Sequence, residues 1–468
     1  MDIDDIRRGF LERTEGSGHV ILERAPLVLR GDSTTLFTGS GMQPLVPYLL
    51  GAEHPSGERL ADVQPCVRSQ DIEEVGDNRH TTFFEMLGNW SLGSYFKREQ
   101  IEMVWGFLVD YVGLDPDRLY VSVYSGDPAL GITRDDESAD VWAELFTAAG
   151  VSCDRVDLET EERGNAEGHG GARICFYRDK NWWSRAGGPE SMPLGDPGGP
   201  DTEIFYYFPQ VEHDTSFGPC SHPNSDGGQF LEIGNSVFMQ YSRTESGLRP
   251  LGRRNVDYGG GLERIAAAAL DSPDVYRVGT LWPLIVKLQE LSGASYDEQT
   301  RAMRIIADHV RGAVFLIADG VAPGSKEHGY VLRRLLRRAI RFAHSLELGA
   351  GAIGEVARVV IQTYADAYPA LAGASDEILE ALTKEERAFR RTMGKGLREL
   401  RRLSKENRPL TGDDFYILYD RYGFPVELST DEAASRGLPV EESWRTDFDE
   451  CLRQQRERSQ AGTRLGVK

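Results

Sequence analysis

No apolar run in the 468 residues approaches the length of about 20 needed to cross a bilayer. The amino terminus, MDIDDIRRGF, lacks the charged-then-apolar order of a secretory signal. A membrane partner is therefore not expected, and a cytoplasmic setting is the default. Cysteine is scarce: Cys66, Cys153, Cys175, Cys220 and Cys451 are five at scattered spacings, which points to reduced thiols and away from a disulfide framework. The nine histidines contain no HxxxH pair, and CSH at 220–222 is an isolated couple, short of a four-ligand site, so no structural zinc is expected. Cations are outnumbered, 53 Lys and Arg against 74 Asp and Glu, and the net charge of −21 excludes a protein that coats nucleic acid by its average field.

What is present has two characters. Up to about residue 270, short aromatic and β-branched runs, TTLFT (34–38), RLYVSVYSG (118–126), TEIFYYF (202–208) and SVFMQYS (236–242), alternate with Gly and Pro and predict strands and turns. Beyond it, helical periodicity takes over with short connections. The expectation is an α+β domain over 1–270 and a mostly helical region over 271–468. Glycine-rich stretches from Glu159 to Ala172 and from Ala186 to Pro200 predict long loops in the first domain. Two basic helices stand out in an acidic chain. HGYVLRRLLRRAIRF (328–342) repeats Arg333, Arg334, Arg337, Arg338 and Arg341 at helical spacing, and Lys384–Lys405 is the second. Each is either a solvated face or a local phosphate-binding surface.

Chemistry concentrates in RSQDIEEVGDNRHTTFFEMLGNWSLG (68–93). Arg68 suits a bidentate grip on phosphate, Phe84 offers a flat face for a base, and the polar run between them predicts a loop folding over a ligand. At 255–264, NVDYGGGLER reads as a glycine-rich turn allowing close backbone approach, with Arg264 opening a helix. It lacks the lysine and serine of a P-loop and sits in no βαβ unit, so neither common nucleotide fold applies.

Together with TLFTGSGMQPLVPYLLG (35–51), CVR (66–68), GPDTEIFY (199–206), NSVFMQY (235–241), IADHVRGAVFLIADGV (306–321), GYVLRRLLRRAIR (329–341) and LYDRYGFPVEL (418–428), these stretches resemble the N-terminal half of the alanyl-tRNA synthetase family, nearly end to end. The resemblance implies a class II synthetase core, an antiparallel sheet flanked by helices, followed by a helical acceptor-recognition region. It further implies ATP-dependent activation of alanine and transfer to tRNA. By the same resemblance Arg68 holds the α-phosphate, Phe84 stacks on adenine and Arg264 clamps the far end of the triphosphate. Asp257 accepts the substrate ammonium, and Trp183, Asn235, Val237 and Gly259 line the alanine site. Glu232 is the protein ligand expected for a Mg²⁺ held mainly by ATP. Ser325, Arg333, Arg337 and Asp420 are the acceptor-reading candidates.

Departures from the family pattern bear on function. The loop after Arg68 lacks a lysine that many relatives carry, so one phosphate contact is absent or supplied elsewhere. Gly234 replaces a usual tryptophan, which implies a wider alanine pocket, and Tyr258 replaces a common threonine. GDPGGPDTEIF lacks the family's usual cysteine, and Ser325 stands near a usual asparagine. Relatives continue into an editing domain with a His and Cys zinc site, whereas this sequence stops at QAGTRLGVK. Three functions remain open on sequence alone: charging of alanine tRNA, delivery of the activated amino acid to a small-molecule or other non-tRNA acceptor, and a non-catalytic RNA-binding role. Retention of Arg68, Phe84, Asp257 and Arg264 together counts against the last.

Overall fold

Period-two patterning in the first part of the chain produces, among the described residues, ten strands: β1 (Val20–Ile21), β2 (Arg59–Val67), β3 (Phe83–Ser91), β4 (Leu119–Tyr124), β5 (Arg155–Glu159), β6 (Ile174–Tyr177), β7 (Trp182–Trp183), β8 (Pro197–Tyr207), β9 (Phe230–Thr244) and β10 (Gly247–Gly261). The structure, a computed structural model, describes residues 1–29, 35–406 and 408–465. Its chain divides into two compact units, Met1–Val286 and Lys287–Lys468.

In the first unit the sheet order is β1-β2-β3-β10-β9-β8-β4-β6-β5, with β7 paired to β8 off this path. The six central strands, β2 to β4 in that order, are antiparallel to their neighbours. Parallel pairs, β1–β2, β4–β6 and β5–β6, extend the sheet at both edges, so it is mixed with an antiparallel centre. Register fixes two faces. Asp257 lies opposite Trp90 on one side and Val237 on the other, and Gly259 opposite Gly88 and Asn235. Those residues, with Phe84 and Met86, share one face.

The other face packs against helices. Phe10 of the helix Ile3–Gly16 meets the ring of Tyr258 at 6.3 Å. Arg7 from the same helix makes a two-pronged pair with Glu85 of β3, 2.8 and 2.6 Å, with both residues buried. The Glu85 backbone N–H donates to Glu263 of the helix Leu262–Ala269 at 3.1 Å.

Several expected elements differ. Of TTLFT, Thr34 lies outside the described residues. The segment 35–38 is no strand, since Thr38 makes only single backbone bonds, its N–H to Leu27 and its carbonyl from Val67. The predicted loop Glu159–Ala172 contains the helix Glu161–Glu167. Its cap Thr160 accepts from the Arg163 N–H, and Glu161 and Glu162 suit the positive helix start, local signals that outweigh the glycine content. The stretch 186–200 includes a 3₁₀ turn, Pro189–Ser191, and the first residues of β8. Gly259, Gly260 and Gly261 belong to β10 and form no turn.

The second unit is helical, built on Thr300–Ala318, Glu327–Ser345, Ala352–Thr363, Ser375–Leu403, Gly412–Tyr422, Val426–Ser435 and Trp444–Leu465. Its interior includes charge: His309, fully buried, contacts Asp308 at 2.9 Å and Arg338 at 3.1 Å. No helix of the described residues is long and apolar enough to cross a membrane.

Close approach of β8 and β9 yields a test of the sheet. A Cβ at Gly199 would stand 2.1 Å from the Phe238 carbonyl oxygen, whereas one at Gly252 meets nothing within 4 Å. Gly199→Ala is expected to destabilise the protein by about 2 kcal/mol or more, because backbone must move. Gly252→Ala should be near neutral. Urea midpoints of the two variants, compared with the parent, check the difference.

Candidate active site

An open cleft of about 650 Å³ lies on the Asp257 face of the sheet. β3 contributes Phe84 and Met86, β9 Glu232 and Gly234, β10 Gly259 and Gly261, and the helix after β10 Arg264. The connection between β2 and β3 adds Arg68, Asp71, Arg79 and His80. The antiparallel pairing of Val67 with Phe83 closes that connection at its base and turns it over the strand ends.

Arg68 follows directly on β2. Its Nε donates to the Gly39 carbonyl at 3.2 Å, and its guanidinium carbon stands 4.9 Å from the Phe84 ring centre, a cation–π stack that orients both groups. Arg264 enters from the helix side: Nη1 donates to the Glu232 carbonyl at 3.0 Å and lies 3.4 Å from its carboxylate. A register shift between Ile204 and Phe205 of β8 sets Glu232 and not Ile233 opposite Phe205. This irregularity lets Glu232 and Asn235, three residues apart, serve the same face.

Arg79 was not singled out by the sequence. It lines the same cleft and donates weakly to the Phe230 carbonyl at 3.5 Å. Burial, and next the charge of Arg264, lower its pKa, so two guanidinium groups crowd a space that an anion would relieve. A second cation in this loop stands where the missing lysine left a question. His80 is raised above its usual range by its hydrogen bond to Asp77, 2.5 Å. Both belong to GDNRH, and their position just before a strand facing the cleft was the available signal.

Farther along the face is a drier region. Trp90 Nε1 donates to Asp257 at 2.7 Å, yet burial dominates and pushes the Asp257 carboxyl up to about 7. Val237 joins Trp90, Leu60, Met42 and Met239 in one apolar cluster, with half-buried Trp183 packed against it. Asn235 Nδ2 donates to Asp201 at 3.3 Å. Gly259 lies between Gly88 and Asn235, and a Cβ there would meet the Met86 sulfur at 2.9 Å.

The expected widening at Gly234 is not what the structure builds. A Cβ at Gly234 would stand 3.0 Å from the Tyr258 hydroxyl, and Tyr258 is fully buried on the helix face. The glycine and the tyrosine are complementary: the bulk missing at 234 is filled from the side away from Asp257.

The acceptor candidates all belong to the second unit. Ser325 is exposed in the loop before the helix Glu327–Ser345, and Asp420 is exposed in Gly412–Tyr422. Arg337 and Arg333 share Glu385, at 2.8 and 3.5 Å. Arg338 and Arg341, 1% and 6% exposed, pair with Asp431 and Glu432. These two therefore belong neither to a solvated face nor to a phosphate-binding surface, because inter-helix acids draw them inward. The other basic helix keeps an open stripe: Arg387, Arg391, Lys395 and Arg398 recur at helical spacing, are exposed, and make no ion pair among the described residues.

Comparison with known proteins places these features in context. The model of the family "tRNA synthetases class II (A)" matches residues 5–466. The alanine–tRNA ligase of Treponema pallidum is 40% identical over 99% of this chain and 72% of its own length. That of Borrelia hermsii is 38% identical over 99% and 74%. The Xylella fastidiosa alanine–tRNA ligase, 38% identical over 98% of this chain, is matched over 49% of its length. Among solved structures, the apo histidyl-tRNA synthetase of S. aureus overlaps 57% of this chain and 65% of its own at 11% identity and a TM-score of 0.33, too slight a likeness to bear on the site.

The state of Asp257 sets a pH dependence of stability. Its folded pKa of about 7 exceeds the ordinary 3.8, so between those values the folded protein holds a proton that the unfolded chain has released. Its contribution to stability therefore falls as pH rises from 4 to 7 and is level above. Asp257→Asn should remove that part of the slope, a few kcal/mol at most. Urea midpoints at pH 5 and pH 8 for both proteins measure it; parallel declines would place the ionisation elsewhere.

Proposed function

Because this chain belongs to the tRNA synthetases class II (A), we propose that it activates alanine with ATP and passes the alanyl group to the 3′ end of alanine tRNA. The observation that carries this is the meeting of Arg68, Arg79, Arg264 and Phe84 in one cleft whose face continues to the buried Asp257. An alanine carboxylate oxygen attacks the α-phosphorus of ATP, the bond to the β-phosphate oxygen breaks, and pyrophosphate leaves with the electron pair. A ribose hydroxyl at the tRNA end then attacks the carbonyl carbon and AMP departs. Neither step requires covalent help from the protein, so positioning and preorganised charge supply the rate.

Arg68, anchored by Gly39 and stacked on Phe84, is suited to hold the α-phosphate beside the adenine. Arg79 and Arg264 face the remaining phosphates. Asp257 takes the substrate ammonium, and pairing with that cation favours its ionised form. Val237, Trp183 and Gly259 shape the space for the methyl group, with Asn235 at its edge. Among the described residues no cluster of three or more His, Cys, Asp or Glu could hold a metal ion. A half-exposed Glu232 fits a Mg²⁺ bound chiefly by phosphate oxygens, and such an ion neutralises triphosphate charge.

The relatives named alanine–tRNA ligases favour tRNA over a small-molecule acceptor. The exposed stripe from Arg387 to Arg398 is the surface suited to phosphates, with Ser325 and Asp420 as the polar groups for reading a base pair. Arg333 and Arg337 serve there only as far as Glu385 leaves their guanidinium edges free.

Exchange of pyrophosphate into ATP, dependent on alanine, tests activation. Arg68→Ala should lower it about 10²- to 10³-fold, the loss of one preorganised donor; undiminished exchange would remove Arg68 from the step. The alanine KM should fall as pH rises through about 7, because only ionised Asp257 pairs with the ammonium, and Asp257→Asn should abolish this trend while leaving the ATP KM little changed.

Charging tests the acceptor. The Arg387→Glu, Arg391→Glu double variant should retain exchange but lose charging of alanine tRNA, with the slope of log affinity against log salt reduced by about 0.9 for each phosphate no longer neutralised. Unchanged charging at two salt concentrations would exclude that helix from the tRNA surface.

A further inference from the structure

Next to Val237, on the strand beyond it, is a pair of acids that the activation chemistry does not use. Asp201 of β8 is buried and Glu203 half-buried, and desolvation pushes both carboxyls up from the ordinary range. Neither makes an ion pair among the described residues. Asn181, fully buried, donates its amide to Asp201 at 3.0 Å and to the Ser122 hydroxyl at 2.7 Å, with Glu203 3.4 Å away. The Ser122 hydroxyl in turn donates to Glu203 at 2.9 Å. The side-chain oxygens of Asn181 and Asn235 are both buried and have no hydrogen-bond partner among the described residues.

Asn235 links this group to Gly259, which lines the cleft. Its Nδ2 donates to Asp201 at 3.3 Å, which leaves the side-chain oxygen as the atom without a hydrogen-bond partner. Directly across from Asn235 stands Gly259, which has no side chain to meet that oxygen. Asp257, Val237 and Asp201 are cross-strand partners in one row, so Asp257 and Asp201 flank Val237 on a single face with their backbones about 9 to 10 Å apart, two inter-strand spacings.

We propose that Asp201 is a positioning residue that fixes the Asn235 carboxamide oxygen toward the substrate, giving the amino-acid cleft a subsite for an ammonium on the β-carbon, so that short 2,3-diamino acids are activated in preference to the β-methyl amino acid of equal length. This rests on the proposal that the cleft activates a small amino acid. A methyl group leaves the Asn235 oxygen unsatisfied; a hydroxyl satisfies it; an ammonium both satisfies it and offsets the two acids behind it.

Pyrophosphate exchange by the whole protein is measured with alanine, 2-aminobutyrate, serine and 2,3-diaminopropionate. The expected kcat/KM for 2,3-diaminopropionate exceeds that for 2-aminobutyrate roughly ten- to a hundredfold, chiefly through KM. In Asp201→Asn the carboxamide at 201 can donate as well as accept, which frees Asn235 to turn, and the ratio should move toward one. Glu203→Gln keeps the partner of Asn235 in place and should keep the ratio above one, so the proposal stays decidable if Asp201→Asn does not fold. A parent ratio at or below one overturns the subsite, and serine equal to or better than 2,3-diaminopropionate overturns the ammonium. Exchange with alanine alone sinks this proposal and leaves activation standing. Absence of exchange with every amino acid sinks activation, and calorimetric binding of 2,3-diaminopropionate against 2-aminobutyrate then decides the subsite by the same ratio.

Discussion

Side-chain alternation across the four strands β3, β10, β9 and β8 is the constraint on which the site depends. Because successive residues point to opposite faces, Asp257, Val237, Asn235 and Asp201 are brought into one patch from three separate strands, while Tyr258, Glu85 and Gly234 serve the helix side. A one-residue slip of β10 against β9 would turn Asp257 into the helix packing and Tyr258 into the cleft. The shift opposite Phe205 is one of the places where the rule is relaxed, and it delivers Glu232 to Arg264. Register is held on the far face by packing and by the two-pronged Arg7–Glu85 pair, so the helix at the start of the chain supports a cleft it does not line.

Within that patch, desolvation decides the electrostatics. Asp257 has one donor, Trp90, and Asp201 has two amides, fewer than a buried carboxylate needs, and both are pushed up. At the other end of the face Arg68, Arg79 and Arg264 line one opening, together with Asp71, Glu232 and Glu263. The face thus offers guanidinium groups at one end and desolvated carboxyls at the other, the groups that phosphates and an ammonium call for in an adenylate-forming site.

The second unit resolves how a chain of net charge −21 presents cations. Arg338 and Arg341 are committed inside the helical packing to Asp431 and Glu432, and Arg333 and Arg337 converge on Glu385. Only the helix Ser375–Leu403 carries a row of exposed cations without acid partners among the described residues. A local basic stripe on an acidic body favours a partner docked along one line over indiscriminate adhesion.

Local pattern was enough to read the central strands β4, β8 and β9, the helix that carries Arg264, and the return of the chain antiparallel between Arg68 and Gly93, since alternation and capping act between near neighbours. It missed the helix at Glu161–Glu167, where one threonine cap outweighed glycine content, and it read β10's glycines as a turn because the flanking strands that accommodate them are distant in sequence. Arg79 was in plain view, but nothing in GDNRH says which cation turns inward. The sequence by itself determined the two-part organisation of strands then helices, the residue types available for phosphate and ammonium, and the family pattern. Only the tertiary structure decided which arginines are buried against acids, which face Gly234 and Tyr258 occupy, and that Asp201 stands beside Asn235. Charge pairing and desolvation depend on groups far apart in the chain: the bond from Trp90 to Asp257 spans 167 residues, and no local pattern encodes a partner at that range.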